Sequence, residues 1–338
     1  MKNKKLVTLL LILAALVLVY YGQKIAVSLK EKSNSKTLNF SYSSVMHKID
    51  ISSAAGPHLL FKQEEGVWRV IDVDANKEDY AAKDKITGFL SDLKKIHSLG
   101  IASENPKRYK EYGVNDSSAV KVKLFLKAAD VNPKSVILFG KTGPTYNTTF
   151  VRMARAKEVY VAGNFTPYIL KRQFKFWRKR ELFRADTPKL QSLSIKQGKK
   201  SAALSNEDGI WFTAVGKKKT EADTKFVKDV IRDINILRVD DFTGSMDFKK
   251  YKLVNPQITI NLKFADTNAV VKASKYNDSK YAVAVPQKKE VVLMNSFRID
   301  NLVKALFGAS AASAQMGPSP RPRHKARPSK AARRRHKK

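Results

Sequence analysis

The chain repeats itself, and that limits its architecture before any single residue is interpreted. Gly66-Val67-Trp68 returns as Gly209-Ile210-Trp211. An amphipathic stretch follows each copy, with Ile86, Phe89, Leu90, Leu93 and Ile96 answered by Val227, Val230, Ile231, Ile234 and Leu237. Tyr112-Gly113-Val114 is answered by Tyr251-Lys252-Leu253. The alternating run Val120, Val122, Leu124, Leu126 is answered by Ile258, Ile260, Leu262, Phe264. Phe165, Leu170 and Phe174 match Phe297, Leu302 and Leu306, so the offset drifts from 143 to 132 residues, as a few loop deletions would produce. Apolar positions kept in both copies read as core. On that reading Trp68, Trp211, Tyr112 and Tyr251 are packing residues, although an aromatic could also stack a sugar or base.

Within each copy, apolar residues at i, i+3, i+4 and i+7 predict a helix near 79–97 laid on a sheet. Strands are expected at 38–42, 45–51, 59–61, 120–127, 135–140, 149–153 and 158–162. A hairpin turn is expected at Glu64-Glu65-Gly66, and Asn132-Pro133, 141–144 and 154–157 punctuate the later strands. Short strands with one or two helices per copy give an α+β class with mostly antiparallel sheets. The domain reading is 1–23 signal anchor or transmembrane helix, 24–37 linker, 38–165 first α+β repeat, 166–187 connecting basic amphipathic helix, 188–307 second repeat, and 308–338 a disordered Lys/Arg/Pro-rich tail. The last segment has no periodicity and almost no large apolar residue with which to form a core.

Charge supplies the next constraint. The chain of 338 residues carries 65 Lys and Arg against 30 Asp and Glu, a net +35. Ten of the basic residues and no acid fall in 318–338, and five with no acid fall in 1–30. Met-Lys-Asn-Lys-Lys opens the chain, and sixteen uncharged, mostly apolar residues follow, Leu6 to Tyr21. At 1.5 Å rise that run spans about 24 Å, short of the roughly 30 Å hydrocarbon core. Lysine snorkelling and the interfacial Tyr20 and Tyr21 would cover the difference. The run does not end in a small-x-small cleavage site, so an uncleaved single-span anchor is expected rather than a removed signal peptide. With Lys2, Lys4 and Lys5 facing only Lys24 and Lys30 across the span, the bulk of the chain is expected on the periplasmic, extracytoplasmic side of a bacterial inner membrane. Cysteine is absent, which excludes lipid attachment through a thioether.

Candidate sites are few. Phe139-Gly140-Lys141-Thr142 looks like the end of a phosphate loop but lacks the earlier glycine, since position 135 is Ser, and reads as a strand ending in a turn. His47, His58, His97, His324 and His336 show no i+3 or i+4 pairing, and no metal site is expected. His97 reads as the end of a helix. Glu64-Glu65, Asp72-Val73-Asp74 and Asp240-Asp241 could serve acid–base chemistry but read as turn and loop acids; Glu64-Glu65 recurs as Glu207-Asp208. No catalytic residue, cofactor or hydrolase elbow is indicated. In the basic helix, Lys171, Arg172, Lys175, Arg178 and Lys179 lie beside Leu170, Phe174 and Trp177, either as a membrane-surface face or as an ordinary solvated one. The tail residues Arg321, Arg323, Lys325, Arg327, Lys330, Arg333, Arg334, Arg335, Lys337 and Lys338 are candidate polyanion ligands, for anionic lipid or an envelope polymer. Nucleic acid is a partner only if the topology is inverted. A solubilising extension is the alternative.

One apolar span, Gly-[Val/Ile]-Trp, an amphipathic helix, Glu-Tyr-Gly-Val at 111–114, Ile-Leu-Phe-Gly-Lys at 137–141 before Val-Tyr-Val, and Arg-Lys-Arg-Glu-Leu-Phe at 178–183 together resemble the bacterial domain of unknown function 4340 family. The likeness covers about 38–307. The resemblance implies a membrane-anchored accessory found beside gliding-motility-type ABC transporter components, with no catalytic residue to carry over. The second copy departs from it at Lys252, where the first has a glycine. The function expected from the sequence is therefore a noncatalytic extracytoplasmic accessory or scaffold of an envelope transporter complex. The alternatives are a tether that grips anionic lipids or polymers through the tail, and an enzyme acting on envelope polymers.

Overall fold

Alternation of apolar and polar residues builds most of this molecule, and it does so twice in the same order. The computed structural model describes residues 13, 16–23, 45–183, 189–286 and 288–312. They form two units, one ending at Lys179 and the other beginning at Arg180.

The first unit contains strands β1 (Lys48–Ser52), β2 (Leu59–Glu64), β3 (Val67–Asp72), β4 (Lys77–Tyr80), β5 (His97–Ser103), β6 (Val120–Phe125), β7 (Ser135–Thr142), β8 (Thr148–Met153) and β9 (Val159–Gly163). They pair antiparallel into one sheet of order β4-β3-β2-β1-β6-β7-β8-β9-β5. The second unit contains β10 (Leu190–Gln197), β11 (Lys200–Glu207), β12 (Ile210–Val215), β13 (Lys218–Glu221), β14 (Asp241–Phe242), β15 (Ile258–Phe264), β16 (Asn268–Lys275), β17 (Lys280–Ala284) and β18 (Val292–Asn295). Its order, β13-β12-β11-β10-β15-β16-β17-β18-β14, is the same path strand for strand. The α+β class with tandem, mostly antiparallel repeats is what the described residues adopt.

Each hairpin tip carries the backbone its residues favour. Glu65 and Gly66 have φ of 49° and 79°, and Asp208 and Gly209 have 51° and 88°. Both central residues are left-handed, the two-residue turn that matches strand twist. Glu64 pairs with Val67 and Glu207 with Ile210, so Trp68 and Trp211 enter the next strand on the same face.

That face is the main core of each unit. Trp68 joins Ile49, Phe61, Val70, Ile86, Phe89 and Leu93 in the first, and Trp211 joins Leu193, Leu204, Val227, Val230 and Ile234 in the second. The helices Lys83–Lys95 and Thr224–Asn235 lay their apolar stripes on it. Asp223 caps the second helix by accepting from Phe226 N at 2.7 Å, whereas Ala82 at the start of the first offers no side-chain cap. A smaller core lies on the opposite face. Tyr112, Val114 and Val159 form it in the first unit; Tyr251, Leu253, Ala282, Val291 and Leu293 form it in the second. The alternation along β17 and β18 separates the two, with Tyr281, Val283, Val292 and Met294 in the main core and Ala282 and Leu293 in the smaller one.

Several sequence expectations change. The first helix begins at Lys83 because Lys77–Tyr80 pairs with β3 as an edge strand. Its spacing extended the helical pattern backward, but the strand's backbone finds its partners in β3, where Asp72 pairs with Lys77 and Arg69 with Tyr80. Helix and strand also meet differently at the other end: His97 opens β5 rather than closing the helix, and β5 closes the sheet against β9. The continuous basic helix expected within 166–187 does not form. A 3-10 turn, Pro167–Lys171, and one helical turn, Phe174–Trp177, are separated by Arg172 and Gln173 in extended backbone. Trp177 drives this by burying 99 % of its surface against Phe61 and Phe89, ring centroids 5.1 and 5.8 Å away. The second copy instead closes with a helix, Ser296–Ala312, packed on β11, β12 and the helix Thr224–Asn235. Residues 308–312, expected as the start of the tail, instead continue the helix Ser296–Ala312. The expected strand at 38–42, the linker and the tail beyond 312 lie outside the described residues.

Candidate functional site

Most of the polar residues singled out from the sequence are occupied in holding structure. Asp72 Oδ1 accepts from Ala75 N at 3.1 Å, as a turn acid does. Asp240 accepts from Asn295 N at 2.7 Å and pairs with Arg298 at 3.4 Å, and Asp241 accepts from Phe242 N at 3.0 Å. Glu207 pairs with Lys219 at 2.6 Å, and this bond holds its carboxyl below the usual range. His58 lies 3.3 Å from Asp50. Among the described residues no group of three or more His, Cys, Asp or Glu is placed to hold a metal ion.

Gly140-Lys141 is a strand end, and the glycine there has a steric reason. A Cβ at Gly140 would fall inside contact distance of the Tyr112 carbonyl oxygen and 2.8 Å from Val114 Cγ1. The Tyr-Gly-Val turn, with Gly113 at φ 69°, packs directly onto β7. Register places Ser274 at this position in the second unit, since Val120 pairs with Phe139 and Ile258 with Ala273.

The proposed membrane-surface residues do not form one face. Arg178 is buried, and its Nε donates to Asp79 Oδ2 at 2.6 Å with both side chains about nine-tenths covered. It belongs to the interior of the first unit and is removed from that set. Lys171, Lys175 and Lys179 are exposed. Arg172 is half-buried and stacks on Tyr168 and Phe176, 4.3 and 4.7 Å from the ring centroids. Trp68, Trp211, Tyr112 and Tyr251 are 4, 8, 8 and 9 % exposed, which leaves no ring face for a ligand to stack on. The tail cations from Arg321 to Lys338 lie outside the described residues, as does most of the proposed anchor. Residues 16–23 are helical, with Tyr20 and Tyr21 exposed; among the described residues no helix is long and apolar enough to cross a membrane.

A cavity of about 360 Å³ opens in the first unit where the broken segment after β9 passes the helix Lys83–Lys95. Phe165 and Ile169 give it an apolar floor, and Tyr168, 59 % exposed, forms a wall. Asn147, Asn164, Thr166, Asp92 and Arg172 supply its polar lining. Thr166 Oγ1 donates to Asn147 Oδ1 at 2.6 Å, and Asn164 Nδ2 lies 3.4 Å from His97 Nδ1. Both asparagines hold φ of 59°, a left-handed conformation that asparagine tolerates better than other side-chain-bearing residues. Arg172 Nε is buried without a hydrogen-bond partner. Sequence reading missed this group because its members come from three separated segments. Its only sequence trace was the basic run at 171–179.

Comparison with known families agrees with the motif likeness. A family model described as a domain of unknown function (DUF4340) matches residues 68–256, from the first Gly-x-Trp into the second repeat. No curated protein and no solved structure matches the chain.

Proposed function

Since the chain belongs to the DUF4340 family, whose domain has no assigned function, we propose that it is a membrane-anchored, noncatalytic extracytoplasmic accessory or scaffold of an envelope complex of the ABC-transporter type. The observation that carries this reading is the duplication itself. Two units of the same nine-strand path hold their conspicuous acids in turns and ion pairs, which suits a protein that presents surface rather than performs chemistry. The basic start and the uncharged run from Leu6 to Tyr21 supply the anchor in this reading. Co-purification of the full chain from detergent-solubilised native membranes tests it. Transporter subunits recovered with the chain are the expected result, and their absence under mild detergent would overturn it.

The ten Lys and Arg of 318–338 favour a second reading, an envelope tether to anionic lipid or polymer. Attraction of about 1 kcal/mol per basic residue near an anionic bilayer makes this strong enough to measure. A chain ending at Phe307 should then lose binding to anionic liposomes, and undiminished binding would rule the tether out.

A further inference from the structure

The duplication provides an internal comparison for the cavity of the first unit. Ile86, Phe89 and Leu93 correspond to Val227, Val230 and Ile234, so Asp92 corresponds to Asp233. In the second unit the closing segment is the helix Ser296–Ala312, packed on the helix that carries Asp233, and Asp233 is only 8 % exposed. In the first unit the closing segment is broken at Arg172 and Gln173, and Asp92 lines an open cavity. One ancestral position is sealed in one copy and left accessible in the other.

What lines the opening is suited to a specific chemistry. The Arg172 guanidinium lies over the rings of both Tyr168 and Phe176, and its buried Nε has no hydrogen-bond partner. A buried donor left unbonded is unfavourable, and here it belongs to a guanidinium at the edge of a cavity. Planar guanidinium donors fit a carboxylate in a forked geometry that a lysine does not reproduce. Beside it stand two amides, Asn147 and Asn164, and the acceptor Asp92, which suit hydroxyl groups, while Tyr168 gives a ring face. The volume of about 360 Å³ is at the small end for ligand sites.

We propose that this cleft of the first unit binds a single acidic sugar residue, with its carboxylate on Arg172 and its hydroxyls on Asn147, Asn164 and Asp92. The chemistry is that of a uronate, free or as part of an acidic glycan. Binding in this cleft is independent of any membrane partner of the chain.

The test is titration calorimetry on the purified full chain in detergent, with D-glucuronate, D-glucose and acetate as separate probes. Glucuronate should bind at least about tenfold more tightly than glucose or acetate, a difference of about 1.4 kcal/mol. Arg172→Gln should bring glucuronate down to the level of glucose, and Arg172→Lys should recover little of the loss. Asp233→Asn, at the sealed position, should leave the glucuronate affinity unchanged. Equal affinity for glucose and glucuronate in the unaltered chain would overturn the proposal, as would no detectable binding up to about 10 mM. A preference that survives Arg172→Gln would also overturn it. The comparison among probes on the unaltered chain decides the matter even if an Arg172 variant fails to fold.

Discussion

The Ser274 hydroxyl donates to the Lys252 carbonyl oxygen at 2.8 Å, at the register position where the first unit has Gly140. The same turn is therefore fastened to the same strand in two ways. In the first unit the backbone of Tyr112-Gly113 approaches so closely that no side chain fits at Gly140. In the second the turn stands off by the length of a serine side chain, and Lys252 occupies the left-handed position, φ 56°, that Gly113 fills in the first. The loss of glycine from the second motif thus reflects a change of fastening.

Gly140→Ala should consequently destabilise the first unit by about 1–3 kcal/mol, because the added methyl group meets backbone that cannot move without disturbing the smaller core. Ser274→Ala should cost only about 1 kcal/mol, the net worth of one hydrogen bond. Guanidinium denaturation of the two variants checks both values, and equal losses would contradict the steric account.

Arg178→Ala should destabilise by about 3–5 kcal/mol, since it removes the guanidinium that pairs with the buried Asp79 carboxylate. Exchanging the exposed Lys171 or Lys175 for Ala should change stability by less than about 0.5 kcal/mol. Thermal melts of the three variants separate the interior arginine from the surface lysines.

Asp233 gives a pH dependence with a definite sign. Burial raises its carboxyl above the ordinary range, and nearby Arg232 only partly opposes this. Below about pH 3.9 both folded and unfolded states hold the proton, and the residue costs nothing. As pH rises past that value the unfolded state releases its proton first, so stability falls until the folded carboxyl ionises as well. Asp233→Asn should therefore raise Tm at pH 7, and the gain should disappear near pH 3. A gain independent of pH would show that ionisation is not its cause.

Tyr281 acts at the alkaline end. It is buried and donates to Asp300 Oδ1 at 2.9 Å, and burial together with this bond pushes its phenol up to about 12. An unfolded tyrosine ionises near pH 10, so the contribution is complete below pH 10 and is lost between about 10 and 12. Tyrosinate absorbance should show a phenol titrating at about pH 12, and Tyr281→Phe should remove that component.

Features whose signals are local are legible along the chain. The Glu65-Gly66 and Asp208-Gly209 tips, the period-two runs of β6 and β15, and the helical stripes from Ile86 and Val227 each require only neighbours a few residues away. Their repetition puts Trp68 and Trp211 at equivalent packing positions. Tertiary structure decided what depends on distant partners. Lys77–Tyr80 is a strand only because β3 is beside it, and His97 begins a strand only because β9 is. The segment 167–179 carries a helical pattern but breaks, because burying Trp177 between Phe61 and Phe89 and pairing Arg178 with Asp79 outweigh the extra backbone bonds of a continuous helix. The same segment exposes Asp92 and gathers Asn147, Asn164 and Arg172 around one cavity. Periodicity and turn chemistry are written along the chain; desolvation and ion pairing are settled only when remote segments meet.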